Sequence, residues 1–474
     1  MVSRRTLLVG GAAVTAALAI PGAKYYSWSE RSFTRSGYSP DLPDAPPGEA
    51  AWMNWSGIER STPQQMVFPE SAEEVQALLA DAPGRVRMVG SGHSFTGLAT
   101  TEGTLIDFSA MSGLISFDEA SGRARFYAGT RLFDVAAILD ARGRALPNLP
   151  DIDVQTLAGT FSTATHGTGN DLPALHDSIR SFTLIRADGA RVEVTPQAEP
   201  DLFAAGKVSL GALCVITEYE IDTVPAFNLR RRFTIEPVGA FLDRIEELGE
   251  THRNFEFFYS PSTGMAAWLS HDIFDGEVAG RGESEDDETL HALKGLRDQL
   301  GWFPWLRRRV AGAAFPKGVI EDFTDKSFNL LSTVRPTRFI EMEYHLPREK
   351  GVETVRKIIS MLDSRRDVFF PLEYRHIAPD TAWLSPFNDG PRSSIAIHAA
   401  VDEPYKYFFS DFEPVFRAAG GRPHWGKLHS LGRDDLMALY PRFGDFLALR
   451  QSLDPTGKFL NPHLSKLFGE RLNG

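Results

Sequence analysis

The sequence predicts a two-domain α+β protein: an α/β unit over 55–225, then a domain of antiparallel strands with helices on one side over 226–420, closed by a C-terminal segment over 421–474. Three observations carry this. A chain of 474 residues exceeds what one hydrophobic core usually serves. Short strands alternate with helical stretches up to Pro225 and give way after it to longer alternating runs. The first 54 residues stand apart in composition from everything that follows.

Those first residues divide in two. Ser3-Arg4-Arg5-Thr6-Leu7-Leu8, an apolar stretch to Pro21 and small residues to Ala23 predict a twin-arginine export signal over 1–23. The apolar stretch is short for a membrane span, which needs about 20 residues. Pro21-Gly22-Ala23 is a loose cleavage motif, so an uncleaved anchor is the second reading. Either way the chain is expected to engage the twin-arginine machinery and to work in the periplasm or another extracytoplasmic space. Residues 24–54, rich in Ser, Pro and Asp, predict a linker.

In the α/β unit, Glu73–Leu79 suits a helix capped by Ser71, and Val86–Val89, Thr104–Phe108 and Arg123–Ala128 suit strands. Leu132–Ala141 suits a helix. Ser181–Arg186 and Arg191–Val194 flank Ala187-Asp188-Gly189 as a hairpin. In the second domain, Phe255–Tyr259, Arg338–Tyr344 and Phe369–Ile377 read as strands, with a charged helical insertion from Glu283 to about Val310 between the first two. Asp434–Phe468 begins as helix and breaks at Asp454-Pro455-Thr456-Gly457-Lys458-Phe459-Leu460-Asn461.

Composition narrows the function. With 62 acidic against 50 basic residues the net charge is -12, which argues against nucleic acid as a partner. The single cysteine, Cys214, sits in an apolar run and reads as a buried hydrophobe, so no disulfide forms and thiol catalysis is not expected. No HExxH, paired CxxC or acidic Ca2+ loop occurs, so no metal site is expected.

Two glycine-rich turns carry more. Gly90-Ser91-Gly92-His93-Ser94 follows a strand directly, where glycines let backbone N–H groups approach a pyrophosphate. Gly97 comes too late for a GxGxxG fingerprint, which weighs against a nicotinamide cofactor. The second stretch, Leu157 to Gly169, is dense in Gly, Ser and Thr and reads as a loop offering hydroxyls and amides to a phosphate-bearing ligand.

With these turns in that order the sequence resembles the covalent flavoproteins of the vanillyl-alcohol oxidase type, with an FAD-binding PCMH-type domain. The branch it resembles is the sugar-1,4-lactone and alditol oxidases, including D-arabinono-1,4-lactone oxidase. The likeness also rests on Leu210-Gly211-Ala212-Leu213-Cys214-Val215-Ile216-Thr217, Glu341-Met342-Glu343-Tyr344, His424-Trp425-Gly426-Lys427 and Asp454 to Asn461, while 281–319 departs from the pattern. It implies FAD bonded covalently to His93, with His166 beside the cofactor as the alternative attachment point. Gly90, Ser91, Gly92, Ser94, Thr156, Gly159, Thr160, Ser162, Thr163, Thr165, Gly167, Ile216 and His424 complete the implied cofactor site.

On the substrate side the resemblance implies Glu373, Arg375, His398 and Lys427 as catalytic residues. By spacing alone, Glu373 and Arg375 share one face of a strand and could as well be a solvated ion pair. Oxidation of an alcohol removes the hydroxyl proton while hydride leaves carbon for flavin N5, and fixed cations stabilise the developing alkoxide. Of Arg375 and Lys427, only the lysine can be tuned to exchange a proton. The expected function is oxidation of a CH–OH group in a sugar-derived polyol or aldono-1,4-lactone, with oxygen accepting the electrons. Two competing readings are an exported dehydrogenase that passes electrons to a quinone or cytochrome, and a binding protein that keeps the fold without its chemistry. Gln155 is a candidate plug between oxygen and the flavin.

Overall fold

The computed structural model describes residues 48–472, apart from 83, 282–285, 334 and 336, so the expected export signal over 1–23 and most of the expected linker lie outside the described residues. A three-stranded parallel sheet opens the first unit, formed by β1 (Gln65–Val67), β2 (Val86–Val89) and β3 (Thr104–Asp107) in the order β1-β3-β2. Helix α1 (Ala72–Asp81) connects β1 to β2 and begins at Ser71, whose hydroxyl accepts from the Glu74 N–H. Beside it lies a five-stranded antiparallel sheet of β4 (Leu114–Asp118), β5 (Arg123–Tyr127), β6 (Ile179–Ile185), β7 (Arg191–Val194) and β8 (Val215–Asp222), ordered β7-β6-β8-β5-β4. The predicted hairpin is the β6–β7 pair, with Leu184 opposite Val192. Helix α2 (Leu132–Asp140) buries Leu132, Val135, Ala136 and Leu139, the spacing of one helical face.

The second Gly-rich stretch is not the plain loop expected. Its first part is a short helix, α3 (Leu157–Ser162), capped by Thr156, whose hydroxyl accepts from the Gly159 N–H at 3.3 Å. Gly, Ser and Thr are poor helix formers, so the stretch reads as loop until its cap is recognised.

The second domain is one eight-stranded sheet: β9 (Asn228–Pro237), β10 (Asn254–Tyr259), β11 (Met265–Ile273), β12 (Gly318–Lys326), β13 (Phe339–Pro347), β14 (Leu372–Ile377), β15 (Arg392–Ala400) and β16 (Arg422–Pro423), ordered β12-β9-β11-β10-β14-β15-β13-β16. The charged insertion forms two helices, α4 (Asp286–Leu300) and α5 (Pro304–Ala314), because Pro304 suits a helix start and not an interior. Helix α6 (Ser327–Leu331) follows β12. Helix α7 (Arg348–Ser364) covers the back of the sheet with Val355, Ile358, Ile359 and Leu362. It comes so near that a Cβ on Gly351 would collide with Ser393 and Tyr374. Strands β14 and β15 are therefore covered on one face by a helix, and their other face is available for a site.

The C-terminal helices α8 (Arg433–Leu439), α9 (Phe443–Leu453) and α10 (Pro462–Phe468) return the chain to the first unit. Asp454 accepts from the Lys458 and Phe459 N–H groups and shapes the break, while Asn461 donates to the Gly97 and Thr100 carbonyls. Buried Arg87 completes the tie by donating to Leu98, Leu210, Gly211 and Phe459 carbonyls. Among the described residues no helix is long and apolar enough to cross a membrane.

Candidate active site

A cavity of about 570 Å³ lies between the first unit and the front of the eight-stranded sheet, within the size range of ligand sites. The first turn contributes Gly90 to Phe95 to its wall. Gly92 has φ +67°, a left-handed conformation that favours glycine. Gly90 is required for another reason: a Cβ there would overlap the Thr156 hydroxyl, so the two turns pack directly on each other. The Phe95 N–H donates to the Gly426 carbonyl at 2.7 Å, docking this turn on the C-terminal segment.

Thr156, Gly159, Ser162, Thr163, Thr165, His166, Ile216 and His424 also line the cavity. Thr160 and Gly167 do not. Thr160 points into the core with its hydroxyl unpartnered, and Gly167 is pressed against the Leu149 carbonyl and Asn148. Gln155 does line it, and its buried Oε1 has no partner.

His93 stacks on Trp55 with ring centroids 5.0 Å apart. Burial, reinforced by Lys427, Arg131 and Arg338, pushes its pKa down to about 3, so the imidazole is neutral with a free lone pair. His424 accepts the Gly426 N–H on Nδ1, which leaves its proton on Nε2, and burial lowers its pKa to about 3.

The four residues expected on the substrate side meet in this cavity and divide into two groups. In the first, Arg375 reaches Glu343 at 2.8 Å, Glu373 at 3.4 Å and Asp151 at 3.8 Å. Glu343 also faces His166 Nε2 at 3.1 Å and accepts from Ser394. Burial alone would raise the Glu343 pKa, but Arg375 and His166 hold it well below the carboxylate range. Glu373 goes the opposite way: burial, with Asp151 and Glu256 adding repulsion, outweighs Arg375 and raises its pKa well above the ordinary carboxylate value. In the second group, Lys427 pairs with Glu341, and His398 stands 3.7 Å from the same carboxylate. His398 Nδ1 donates to the Pro371 carbonyl at 2.8 Å. Burial opposes ionisation of Glu341, yet Lys427 and His398 hold its pKa at about 2.

Each cation is thus anchored by a glutamate of β13. Neither Glu341 nor Glu343 was assigned a role from the sequence, although their motif was visible. Their signal is the alternation Glu341, Glu343, His345 against Ile340, Met342, Tyr344, Leu346 in a strand buried on both faces. Asp151 and Glu256, also missed, come from a loop and from β10. Three groups of residues hold possible ligating atoms within 4.8 Å of one another, yet each shares a carboxylate with Arg375 or Lys427, which opposes a metal ion.

The cavity suits a flavin dinucleotide. The parts of its first-unit wall at 90–95 and 156–166 offer Gly, Ser, Thr and His and no acidic side chain, as a pyrophosphate requires, while the one acidic residue of that unit in the wall, Asp151, sits at the Arg375 end. On the sheet side, Glu343 Oε2 is buried without a hydrogen-bond partner, and Glu373 Oε1 has only the 3.4 Å ion-pair contact with Arg375, so both can take up a ligand's hydroxyls. Fold and cavity together define an FAD-dependent oxidoreductase.

Comparison with known proteins agrees. A family model described as FAD binding domain matches 63–195, and one described as D-arabinono-1,4-lactone oxidase matches 219–467. The chain is 32% identical to an L-gulono-1,4-lactone dehydrogenase of Mycobacterium tuberculosis over 88% of its length and 99% of the relative. It is 29% identical to the L-gulonolactone oxidase of Mus musculus, covering 88% of this chain and 98% of that one. A Streptomyces alditol oxidase is also 29% identical, over 87% and 98%. Cholesterol oxidase from B. sterolicum shares the fold, with TM-score 0.72 at 14% identity over 91% of this chain and 100% of that one. The chain belongs to the D-arabinono-1,4-lactone oxidase family, within the flavoproteins of the vanillyl-alcohol oxidase type.

Proposed function

We propose that this enzyme oxidises a CH–OH group of a sugar-derived polyol or aldono-1,4-lactone, with FAD bonded to His93 and oxygen as electron acceptor. The observation that carries the reading is the pair of glutamate-anchored cations, Arg375 and Lys427, lining the cavity that also holds His93. When bound, the flavin supplies the acceptor for a hydride equivalent. The protein holds the alcohol: Glu373, on the same strand face as Arg375, can hydrogen-bond the substrate's hydroxyls. Arg375 and Lys427 stabilise the negative charge that develops on the carbinol oxygen during hydride loss. Their glutamates fix both cations before substrate arrives, so no reorganisation is needed during the reaction. A neutral His93 has the lone pair that attachment to the cofactor requires.

Acid precipitation of the purified holoenzyme tests attachment. Flavin absorbance is expected to stay with the wild-type pellet and to leave with the supernatant of His93→Ala. Free flavin from the wild type rejects the bond. Oxygen consumption with a panel of five- and six-carbon polyols and aldonolactones tests the activity, and turnover seen only with an added quinone or dye replaces oxygen as the acceptor. Export by the twin-arginine machinery to an extracytoplasmic space rests on Ser3 to Ala23. It predicts that Arg4→Lys/Arg5→Lys retains the enzyme in the cytoplasmic fraction.

A further inference from the structure

The cavity does not end at the carbinol pocket. Antiparallel neighbours stand side by side on one face of a sheet, so the register maps the floor. One row runs Phe233, Leu269, Glu256, Arg375, Ser394 across β9, β11, β10, β14 and β15, and the next runs Ile235, Ala267, Phe258, Glu373, Ala396. The first four members of each row line the same cavity. In these two rows the face carries Glu373 and Arg375 on β14 and apolar side chains on β11 and β9, with Glu256 and Asp151 at the change, while the next row, Arg231 beside His271, bounds the apolar patch with polar groups.

This apolar end is only partly buried: Ile235 and Leu269 are covered, while Phe233 and Phe258 are half-exposed. Phe233, Ile235, Phe258 and Leu269 pack into none of the apolar clusters that hold the described residues together. Leu290 of α4 and Phe315 at the end of α5 roof it, and Ile320 of β12, 40% exposed, stands at its rim. The apolar members of the two rows lie on β10, β11 and β9, the last of which is three inter-strand steps of about 4.8 Å, or roughly 14 Å, from β14, and the row through Phe233 ends on β12 at Glu321. A bare polyol or lactone would leave the half-buried Phe233, Phe258 and Ala267 uncovered, which is costly for an enclosed apolar face. The two helices that roof it belong to the segment whose sequence departs from the family pattern.

We propose that the substrate is amphipathic: a hydroxylated head at Arg375, Glu373 and Lys427, carrying an alkyl or aryl group that lies over β10, β11 and β9. This rests on the proposed activity and names its substrate class.

A series of pentitols bearing an n-alkyl ether of zero to eight carbons on one terminal hydroxyl tests it. Affinity for the holoenzyme is measured by calorimetry below the micellar concentration, and kcat/KM is measured in parallel. Affinity is expected to rise about fourfold per methylene, the equivalent of about 0.8 kcal/mol for each CH2 buried, until the lobe is full. Ala267→Phe, which fills the floor, is expected to flatten that slope. Ile320→Asn at the exposed rim is a gentler change and is expected to flatten it only for the longest chains. The slope compares ligands within one protein, so reduced stability or flavin content does not imitate the effect. A flat wild-type series overturns the inference, and so does an equal slope in Ala267→Phe, which would mark non-specific adsorption. If the parent pentitol is oxidised while the series is flat, only the lobe's role fails. If the series is steep and no alcohol is oxidised, the proposed activity fails and the ligand class stands.

Discussion

Replacing Arg375 by Met separates what this residue does for the fold from what it does for the reaction. Its guanidinium is buried and faces three carboxylates: Glu343 at 2.8 Å, Glu373 at 3.4 Å and Asp151 at 3.8 Å. Breaking a buried pair by removing one partner costs about 3–5 kcal/mol, because the remaining charge is stranded. Here the low end, about 3 kcal/mol, is expected, since Glu343 keeps His166 and Ser394 and Asp151 keeps Arg335 at 3.5 Å. Loss of one fixed donor at a developing oxyanion costs about 10²- to 10³-fold in kcat.

The double variant Arg375→Met/Glu343→Gln removes the stranded charge as well. Urea unfolding of the holoenzyme should show most of the lost stability restored, with a coupling of about 2 kcal/mol between the two sites. Anaerobic flavin reduction by substrate should remain slow by the same 10²- to 10³-fold. If turnover instead recovers together with stability, Arg375 only balances Glu343 and has no part in the chemistry.

Two further predictions concern neighbouring groups. Lys427→Met leaves Glu341 with His398 alone at 3.7 Å and should lower kcat/KM by about 10²-fold or more, measured by oxygen consumption; a loss under tenfold counts against its assigned role. Glu256 tests linkage: burial and Asp151 raise its pKa to about 8, so between its unfolded value and pH 8 the unfolded chain ionises while the folded one keeps its proton. Its contribution is thus fully present at low pH and falls as pH rises to 8. Glu256→Gln should gain stability relative to wild type on going from pH 5 to pH 8, read from urea midpoints, and a variant-minus-wild-type difference that stays constant or falls over this range refutes the assignment.

Sequence patterns reached the parts of this protein whose causes are local. Ser71 caps α1 because its hydroxyl needs only the Glu74 N–H three residues on. The β6–β7 hairpin follows from its turn. Glu373 and Arg375 share a face because strands alternate. Family resemblance then joined them to His398 and Lys427, which no spacing could have done. Where local rules compete, the reading failed: α3 carries the weak helix formers Gly, Thr and Ser, and only its cap and its packing against Gly90 make it helical.

The carboxylates escaped for a different reason. Glu256 meets Arg375 because β10 pairs with β14 across 119 residues of sequence, and Asp151 reaches it from a loop of the other domain. Neither relation leaves a trace in a single sequence, since an isolated Glu in an apolar strand looks like any edge charge. Burial is what changes its meaning. A carboxylate on this floor must find a cation, as Glu341 and Glu343 do, or hold its proton to higher pH, as Glu256 and Glu373 do. The site therefore holds carboxyls of lowered and of raised pKa from the same residue type, sorted by which strands carry Arg375 and Lys427. Moving either cation by one strand would reverse the sorting, so sheet register, more than residue choice, sets the chemistry of this floor.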